Sequence, residues 1–276
     1  MTFKHFFCII QTLANISPYK ILNMLSEERH QTILSLLENK GSVSVTDLVT
    51  QFDVSEMTIR RDLDVLEKKG LLRRVHGGAV IDQGRSFEPP FLSRSNTQSE
   101  AKRRIGELAA ELVHSGESIA LDVGTTTLEV ARSLADKQNL TIITPCFQIA
   151  ALLCENPDIR LILTGGILRH GELSMVGHLA ERAFREFYTD RLFLGAAGVD
   201  FEAGLTEYNL EDTLVKQAMV RSAKQTILVA DASKFNQVAF TAIAPLHVVD
   251  MVVTDSAVDA EVVRMLEDLN IDVLVA

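Results

Sequence analysis

Cysteine is scarce: Cys8, Cys146 and Cys154 are the three among 276 residues, and no two stand at a metal-binding or redox spacing. An odd number so placed argues against a disulfide framework and fits a reducing compartment, so a cytoplasmic protein is expected. The seven histidines include no H-E-x-x-H and no clustered metal spacing, so a metal enzyme has no support and no metal or other cofactor is expected. Nucleotide loops of the G-x-G-x-x-G or G-x-x-x-x-G-K-[ST] kind are missing too. The chain has no low-complexity tract, and its short N-terminal apolar run could not span a bilayer, so no membrane partner is expected. Positive charge is in the minority, 27 Lys and Arg against 37 Asp and Glu, for a net charge of -10.

What is present, 47% hydrophobic and 23% charged residues, describes a globular protein long enough for one large domain or two unequal ones. Residues 1–23 carry a weakly basic start and a short apolar run. They read as a disordered extension or a mis-assigned start, because Met24 opens a stretch that looks like a natural beginning. The acid lies mainly downstream: residues 81–276 hold 17 Lys and Arg against 28 Asp and Glu, whereas residues 24–80 hold 8 against 9. Within that smaller segment, Arg60, Arg61, Lys68, Lys69, Arg73 and Arg74 form a local basic cluster. Attraction to phosphate acts over roughly 8 Å at physiological salt, so the local excess counts for more than the global sum.

Residues 24–80 carry a pattern of three helices and a hairpin. Ile33, Leu34, Leu36 and Leu37 predict a first helix ending at Gly41, and Val45, Leu48, Val49 and Phe52 a second over Ser44–Phe52. Asp53-Val54 makes a tight connection to a third helix capped by Ser55. Two short helices so joined are the helix-turn-helix plan. Ile59, Leu63 and Leu66 form the buried stripe of the third helix. At about 100° per residue, Arg61 then faces out near its start, beside Met57 and Thr58. Outward residues there reach base edges in the major groove, where arginine pairs with guanine in a bidentate way. Arg60, on the flank, suits a phosphate. The run L-L-R-R-V-H-G-G-A-V then reads as a wing, with Arg73, Arg74 and His76 toward the DNA backbone and Lys68 at the helix end adding charge.

A linker is expected over residues 81–98, followed by an α/β domain over 99–276. After a helix at Ser99–His114, short apolar strands alternate with helical patterns, which predicts a mainly parallel sheet with ligands at the carboxyl ends of its strands. Asp122-Val123-Gly124-Thr125-Thr126-Thr127 ends the first strand and opens a helix. Its glycine, hydroxyls and helix-start N–H groups make a candidate phosphate cradle. Further loops end later strands: Thr164-Gly165-Gly166, Gly195 to Asp200 with Gly198 inside it, and Asp231 to Lys234. Lys216 and Lys234 would add positive charge.

The stretch V-S-E-M-T-I-R-R-D-L-D-V-L-E-K-K-G-L-L-R-R-V-H-G-G-A resembles the DNA-binding signature of the DeoR family of bacterial sugar-metabolism regulators, and the resemblance covers Met24 to Ala276. It implies an N-terminal winged helix-turn-helix joined to a C-terminal sensor similar to ribose-5-phosphate isomerase. It further implies a repressor that binds operator DNA as a homo-oligomer and is released by a phosphorylated sugar or polyol. The ligand residues it implies are Asp122, Gly124, Thr125, Thr126, Thr127, Lys216 and Lys234, with T-G-G-I-L-R, carrying Gly165 and Gly166, as a second glycine loop. One departure is Pro145, which stands where many members have asparagine and removes a backbone donor. The alternative is a sugar-phosphate isomerase with an appended DNA-binding domain, using Asp122, Asp200, Glu211 or Asp212 as base. Against it, the region matching the isomerases' glycine-rich catalytic loop is here the helix-like N-L-E-D-T-L-V-K.

Overall fold

The computed structural model divides into two compact units, residues 1–83 and 84–276. It describes Ser26 and residues 28–34, 36–37, 41–68, 71–80 and 84–276. The extension expected over 1–23 lies outside the described residues, as do Cys8 and Lys69.

In the first unit residues 28–34 and 36–37 are helical (α1). Strand β1 (Ser42–Ser44) leads into α2 (Val45–Phe52), whose start is capped by the Ser44 hydroxyl accepting from the Asp47 N–H at 3.0 Å. Asp53 ends it in the left-handed conformation, φ 49°, which turns the chain into α3 (Glu56–Lys68). At the front of α3 the Ser55 hydroxyl accepts from the Thr58 N–H at 3.2 Å. Strands β2 (Arg73–Val75) and β3 (Gly78–Val80) form the expected hairpin about His76 and Gly77. The structure adds a third strand, because β1 pairs with β3 on the other side. Gly78 permits that approach: a Cβ there would lie 2.0 Å from the Val43 carbonyl oxygen.

The core of this unit is Ile33, Leu37, Leu48, Ile59, Leu63 and Leu66, all fully buried. Asp62 shares the inward face of α3 with Ile59 and Leu66 and is itself buried. A buried carboxylate must be paired. Arg29 of α1 donates to it through Nε and Nη2, and His30 Nε2 lies 2.9 Å away, so a charge-assisted cluster fastens α1 to α3.

The second unit is built on a seven-stranded parallel sheet in the order β15-β14-β12-β9-β4-β5-β6. Its strands are β4 (Ser118–Leu121), β5 (Leu140–Thr144), β6 (Ile159–Leu163), β9 (Thr189–Leu194), β12 (Ala223–Val229), β14 (Met251–Thr254) and β15 (Asp272–Val275). Side chains alternate between two apolar layers. Ile119, Leu121, Phe193 and Val229 join the layer under α5 (Ser99–Glu111), α6 (Thr125–Leu134) and α7 (Phe147–Leu153). Ala120, Leu192, Leu194 and Leu228 join the layer under α8 (His178–Glu186), α9 (Leu210–Ser222) and α10 (Ala260–Asp268). A hairpin of β7 (Ile167–Arg169) and β8 (Ser174–Val176), and an antiparallel sheet of β10 (Gly198–Asp200), β11 (Gly204–Glu207) and β13 (Thr241–Ala244), complete the unit. Among the described residues no helix is long and apolar enough to cross a membrane.

The expected linker needs correction. Residues 84–98 belong to the second unit, where Phe91–Asn96 forms helix α4 and Phe91 packs on the core. The buried Lys102 of α5 donates to the carbonyls of Arg94 and Thr97, the latter at 2.7 Å. Proline, serine and charge suggested solvent exposure, but here the polar groups find partners inside the unit.

Strand β4 runs into α6, and the close packing of α5 on α6 sets where α6 begins. Gly106 makes that packing possible, since a Cβ there would lie 2.6 Å from the backbone carbon of Glu129. Gly106→Ala should therefore force the helices apart and cost about 1–3 kcal/mol despite alanine's better helix propensity, read as a lowered urea midpoint.

Candidate functional site

In the central sheet, successive strands proceed outward from β4 through β5 and β6, and in the opposite direction from β9 through β12, β14 and β15. The chain order thus reverses between the neighbours β4 and β9. Loops leaving two such strands part to opposite faces and open a crevice at their carboxyl ends. The loops here are Asp122–Gly124 and Gly195–Ala197, and a cavity lies where they part. Gly124, Thr125, Thr126 and Thr127 line it, along with Gly195 to Ala197, Lys216 and Lys234. Helix α6 starts there with Gly124 at its cap position and no side-chain cap. The first N–H groups of a ten-residue helix, with their favourable field for an anion, therefore meet the cavity.

Beneath the loop sits a buried ionic cluster. The Lys216 ammonium donates to Asp122 and, at 3.0 Å, to the Gly195 carbonyl, and it lies 3.1 Å from Glu207. The Gly195 N–H donates to the same Asp122 oxygen at 3.0 Å. Burial pushes the Asp122 carboxyl up to about 6, opposed by the Lys216 charge and the Gly195 N–H. Burial alone would discharge Lys216, but Asp122 and Glu207 outweigh it and hold the ammonium protonated well above its ordinary range. The other Asp122 oxygen, Oδ1, is buried without a hydrogen-bond partner among the described residues.

This changes the expected role of the lysines. The Lys216 charge is already committed to two carboxylates, so it orders the crevice and adds little net attraction. Lys234, at the end of a short 3-10 turn (Ala232–Lys234), is half-buried on the cavity wall with no ion-pair partner among the described residues. It supplies the uncommitted positive charge.

Five expected ligand residues are absent from the cavity wall: Asp122, fully buried in the ionic cluster behind it, and four that have structural work elsewhere. Gly165 and Gly166 follow the edge strand β6, and a Cβ on Gly166 would lie 2.5 Å from the Val176 carbonyl oxygen. Gly198 opens β10 against the Gln237 carbonyl. Asp200 accepts from the N–H groups of Glu202 and Ala203 and so shapes the β10–β11 turn. Pro145 uses its carbonyl to accept from the Met175 N–H at 2.7 Å. Conversely, Arg94, Glu207 and Tyr208 line the cavity and were missed from sequence. Glu207 ends the short β11, and an acid at the end of a run that is otherwise buried was the signal available for it.

In the first unit, Met57 and Arg61 are exposed on α3, and Arg61 has no ion-pair partner among the described residues. Arg60 is also exposed but is paired with Glu56 one turn earlier, at 2.5 Å. Arg74 differs from the expectation: its guanidinium is half-buried against Asp64 and its N–H donates to Glu67, so it ties the wing to α3. Arg73, His76 and Lys68 are exposed, and Ser55 and Thr58 share a hydrogen bond of 2.9 Å at the helix start.

Comparison with known proteins bears on both units. A family model described as the DeoR-like helix-turn-helix domain matches residues 29–85, and one described as the DeoR C terminal sensor domain matches residues 97–256. The chain is 40% identical over 250 residues to the uncharacterized HTH-type transcriptional regulator YulB of Bacillus subtilis, covering 91% of this chain and 96% of that one. It is 35% identical over 248 residues to the glycerol-3-phosphate regulon repressor of Escherichia coli K12, covering 90% and 98%. Among solved structures, ribose 5-phosphate isomerase A from Neisseria gonorrhoeae matches half of the chain, 50% against 54% of its own, at 18% identity and a TM-score of 0.36, too slight a likeness to bear on activity. The two family matches fall on the two units, and the relatives are matched along nearly their whole length. The chain belongs to the DeoR family of DNA-binding transcriptional regulators.

Proposed function

We propose that the protein represses carbohydrate-catabolism genes in the cytoplasm and is released from its operator when a sugar or polyol phosphate enters the crevice between β4 and β9. The observation that carries this is the α6 N-terminus, open to the cavity, with Thr125 and Thr126 on its first turn and Lys234 opposite. Such a site offers N–H donors, hydroxyls and one cation, the chemistry of a bound phosphate. Asp122, fully buried behind the loop, would act on the ligand through its charge and not by contact. The glycerol-3-phosphate regulon repressor, a relative along almost the full chain, is consistent with an effector of this class.

Repression needs DNA contact over two half-sites, since one winged helix reads too few base pairs, so the working form is a symmetric oligomer. Release requires the effector to favour the arrangement that does not fit the operator. The site is regulatory rather than catalytic on this reading, because three of the four candidate bases are engaged and the fourth, Glu211, is exposed and off the cavity wall. Asp122 is held by Lys216 and the Gly195 N–H, Asp212 pairs with Arg169, and Asp200 serves its turn. Turnover of pentose phosphates by the purified chain, lost in Glu211→Ala, would overturn the regulatory reading.

A thermal-shift screen against phosphorylated sugars and polyols tests the effector. A ligand at 100 times its Kd should raise the midpoint by roughly 5–10 °C, and Lys234→Ala should weaken that ligand about tenfold or more. No shift with any member of the panel would remove the phosphate reading. On the DNA side, Arg61→Ala should cost about 1–3 kcal/mol on the operator and little on random duplex, while Arg73→Ala should mainly flatten the salt dependence. Equal losses on both duplexes would take Arg61 out of base readout.

The pH dependence has a definite sign. A bound anion disfavours a second negative charge nearby, so it favours protonated Asp122, whose carboxyl titrates at about 6. Affinity for inorganic sulfate, which does not itself titrate in this range, should rise as pH falls from 7.5 to 5 in the wild type. It should stay flat in Asp122→Asn, as measured by calorimetric titration.

A further inference from the structure

Arg94 belongs to the segment by which the chain leaves its DNA-binding unit, yet it lines the effector cavity. Its side chain is 17% exposed, and its surroundings are specific. Nε donates to the Pro89 carbonyl at 2.9 Å, and Nη2 makes an ion contact with Glu172, between β7 and β8, while lying 3.7 Å from Glu88. Glu88 in turn accepts from Arg169 at 2.8 Å, and Arg169 reaches Asp212 in the first turn of α9, the helix that carries Lys216. The cluster therefore joins the entering segment, the β7–β8 hairpin and the helix at the back of the cavity.

Two details distinguish Arg94 from a static brace. Nη2 is buried against Glu172, its strongest electrostatic partner, so this contact is held chiefly by charge. Burial disfavours its charge, and Glu172, Glu88 and Glu207 more than restore it, so the guanidinium enters any competition fully charged. A phosphate group, through two of its oxygens, offers arginine the same bidentate pairing that a carboxylate does.

We propose that Arg94 is an effector contact that exchanges Glu172 for the ligand's anionic group, so that occupancy of the cavity loosens the 84–98 segment leading to the DNA-binding unit. This rests on the anion site proposed above and adds to it the residue through which the site reaches that segment. Glu172 is then a competitor of the ligand, and the two substitutions must act with opposite sign. A purely structural ion pair would instead make either substitution harmful in the same direction.

The full-length chain is titrated calorimetrically with inorganic phosphate and with glycerol 3-phosphate, and amide hydrogen exchange is followed over residues 91–98 with and without each. Arg94→Gln should weaken binding about tenfold, and Glu172→Gln should tighten it by roughly threefold to tenfold. The double variant Arg94→Gln/Glu172→Gln removes both buried charges and guards against misfolding of either single change; it should bind like Arg94→Gln. Exchange over 91–98 should quicken on ligand addition in the wild type and fail to respond in the double variant. Equal weakening by both single substitutions, wild-type affinity in Arg94→Gln, or an unchanged exchange response in the double variant would overturn this proposal and leave the anion site standing. Failure of the wild type to bind either probe would overturn both.

Discussion

A lysine ammonium buried beneath the crevice constrains everything around it. Lys216 lies in the middle of α9, and its three oxygen partners come from three other places: Asp122 after β4, the carbonyl of Gly195 after β9, and Glu207 at the end of β11. A charge this deeply buried is tolerable only if each of those partners stays in place, because losing one leaves the rest uncompensated. The pair therefore holds the ends of the two strands between which the sheet reverses. It also fixes the start of α6, which follows Asp122 after two residues, so the N–H groups of that helix arrive at the cavity in one orientation. The proposed anion binding at the surface of the site would thus depend on an ion cluster that need not itself touch the anion.

Much of this unit was legible along the chain. The alternation of short apolar runs with helical patterns gave the sheet and its flanking helices, and the loop Asp122 to Thr127 fell between strand and helix as expected. Local chemistry accounts for that success. Helix and strand periods are visible within a dozen residues, and in the first unit the Ser44 and Ser55 hydroxyls likewise act on helix starts within three residues. What was not legible depends on pairing across long separations. Lys216 and Asp122 are 94 residues apart, Arg169 and Glu88 are 81 apart, and neither pairing leaves a mark in the intervening chain.

Two misreadings share a physical origin. The 84–98 segment looked like linker because proline and charge usually mean solvent, and β1 was overlooked because a three-residue strand has too little period to see. In both cases burial is supplied by distant partners: Glu172 and Arg169 for the first, the β3 strand with its Gly78 for the second. Asp62 was overlooked as well: it stands between Ile59 and Leu66 on the inward face of α3, a core position from which a polar residue demands a partner, although spacing alone cannot name Arg29.

The same distinction between buried and exposed pairs decides how the first unit can meet DNA. Arg29 and Asp62 are nearly enclosed, so breaking that pair would strand a charge, and Arg29 is unavailable to phosphate. Arg60 and Glu56 are both more than half exposed, and pairs of that kind are worth well under about 1 kcal/mol. A backbone phosphate that also releases condensed counterions competes easily with Glu56 for Arg60. Arg74 is intermediate, half-buried against Asp64 and tied through its N–H to Glu67, so it holds the wing in place more than it reaches outward. The adjacent arginines of α3 thus differ in kind: Arg60 would have a weak pair to give up to a phosphate, and exposed Arg61 has no ion-pair partner among the described residues to give up. Acids on α3 restrain its arginines by degrees, and burial sets the degree.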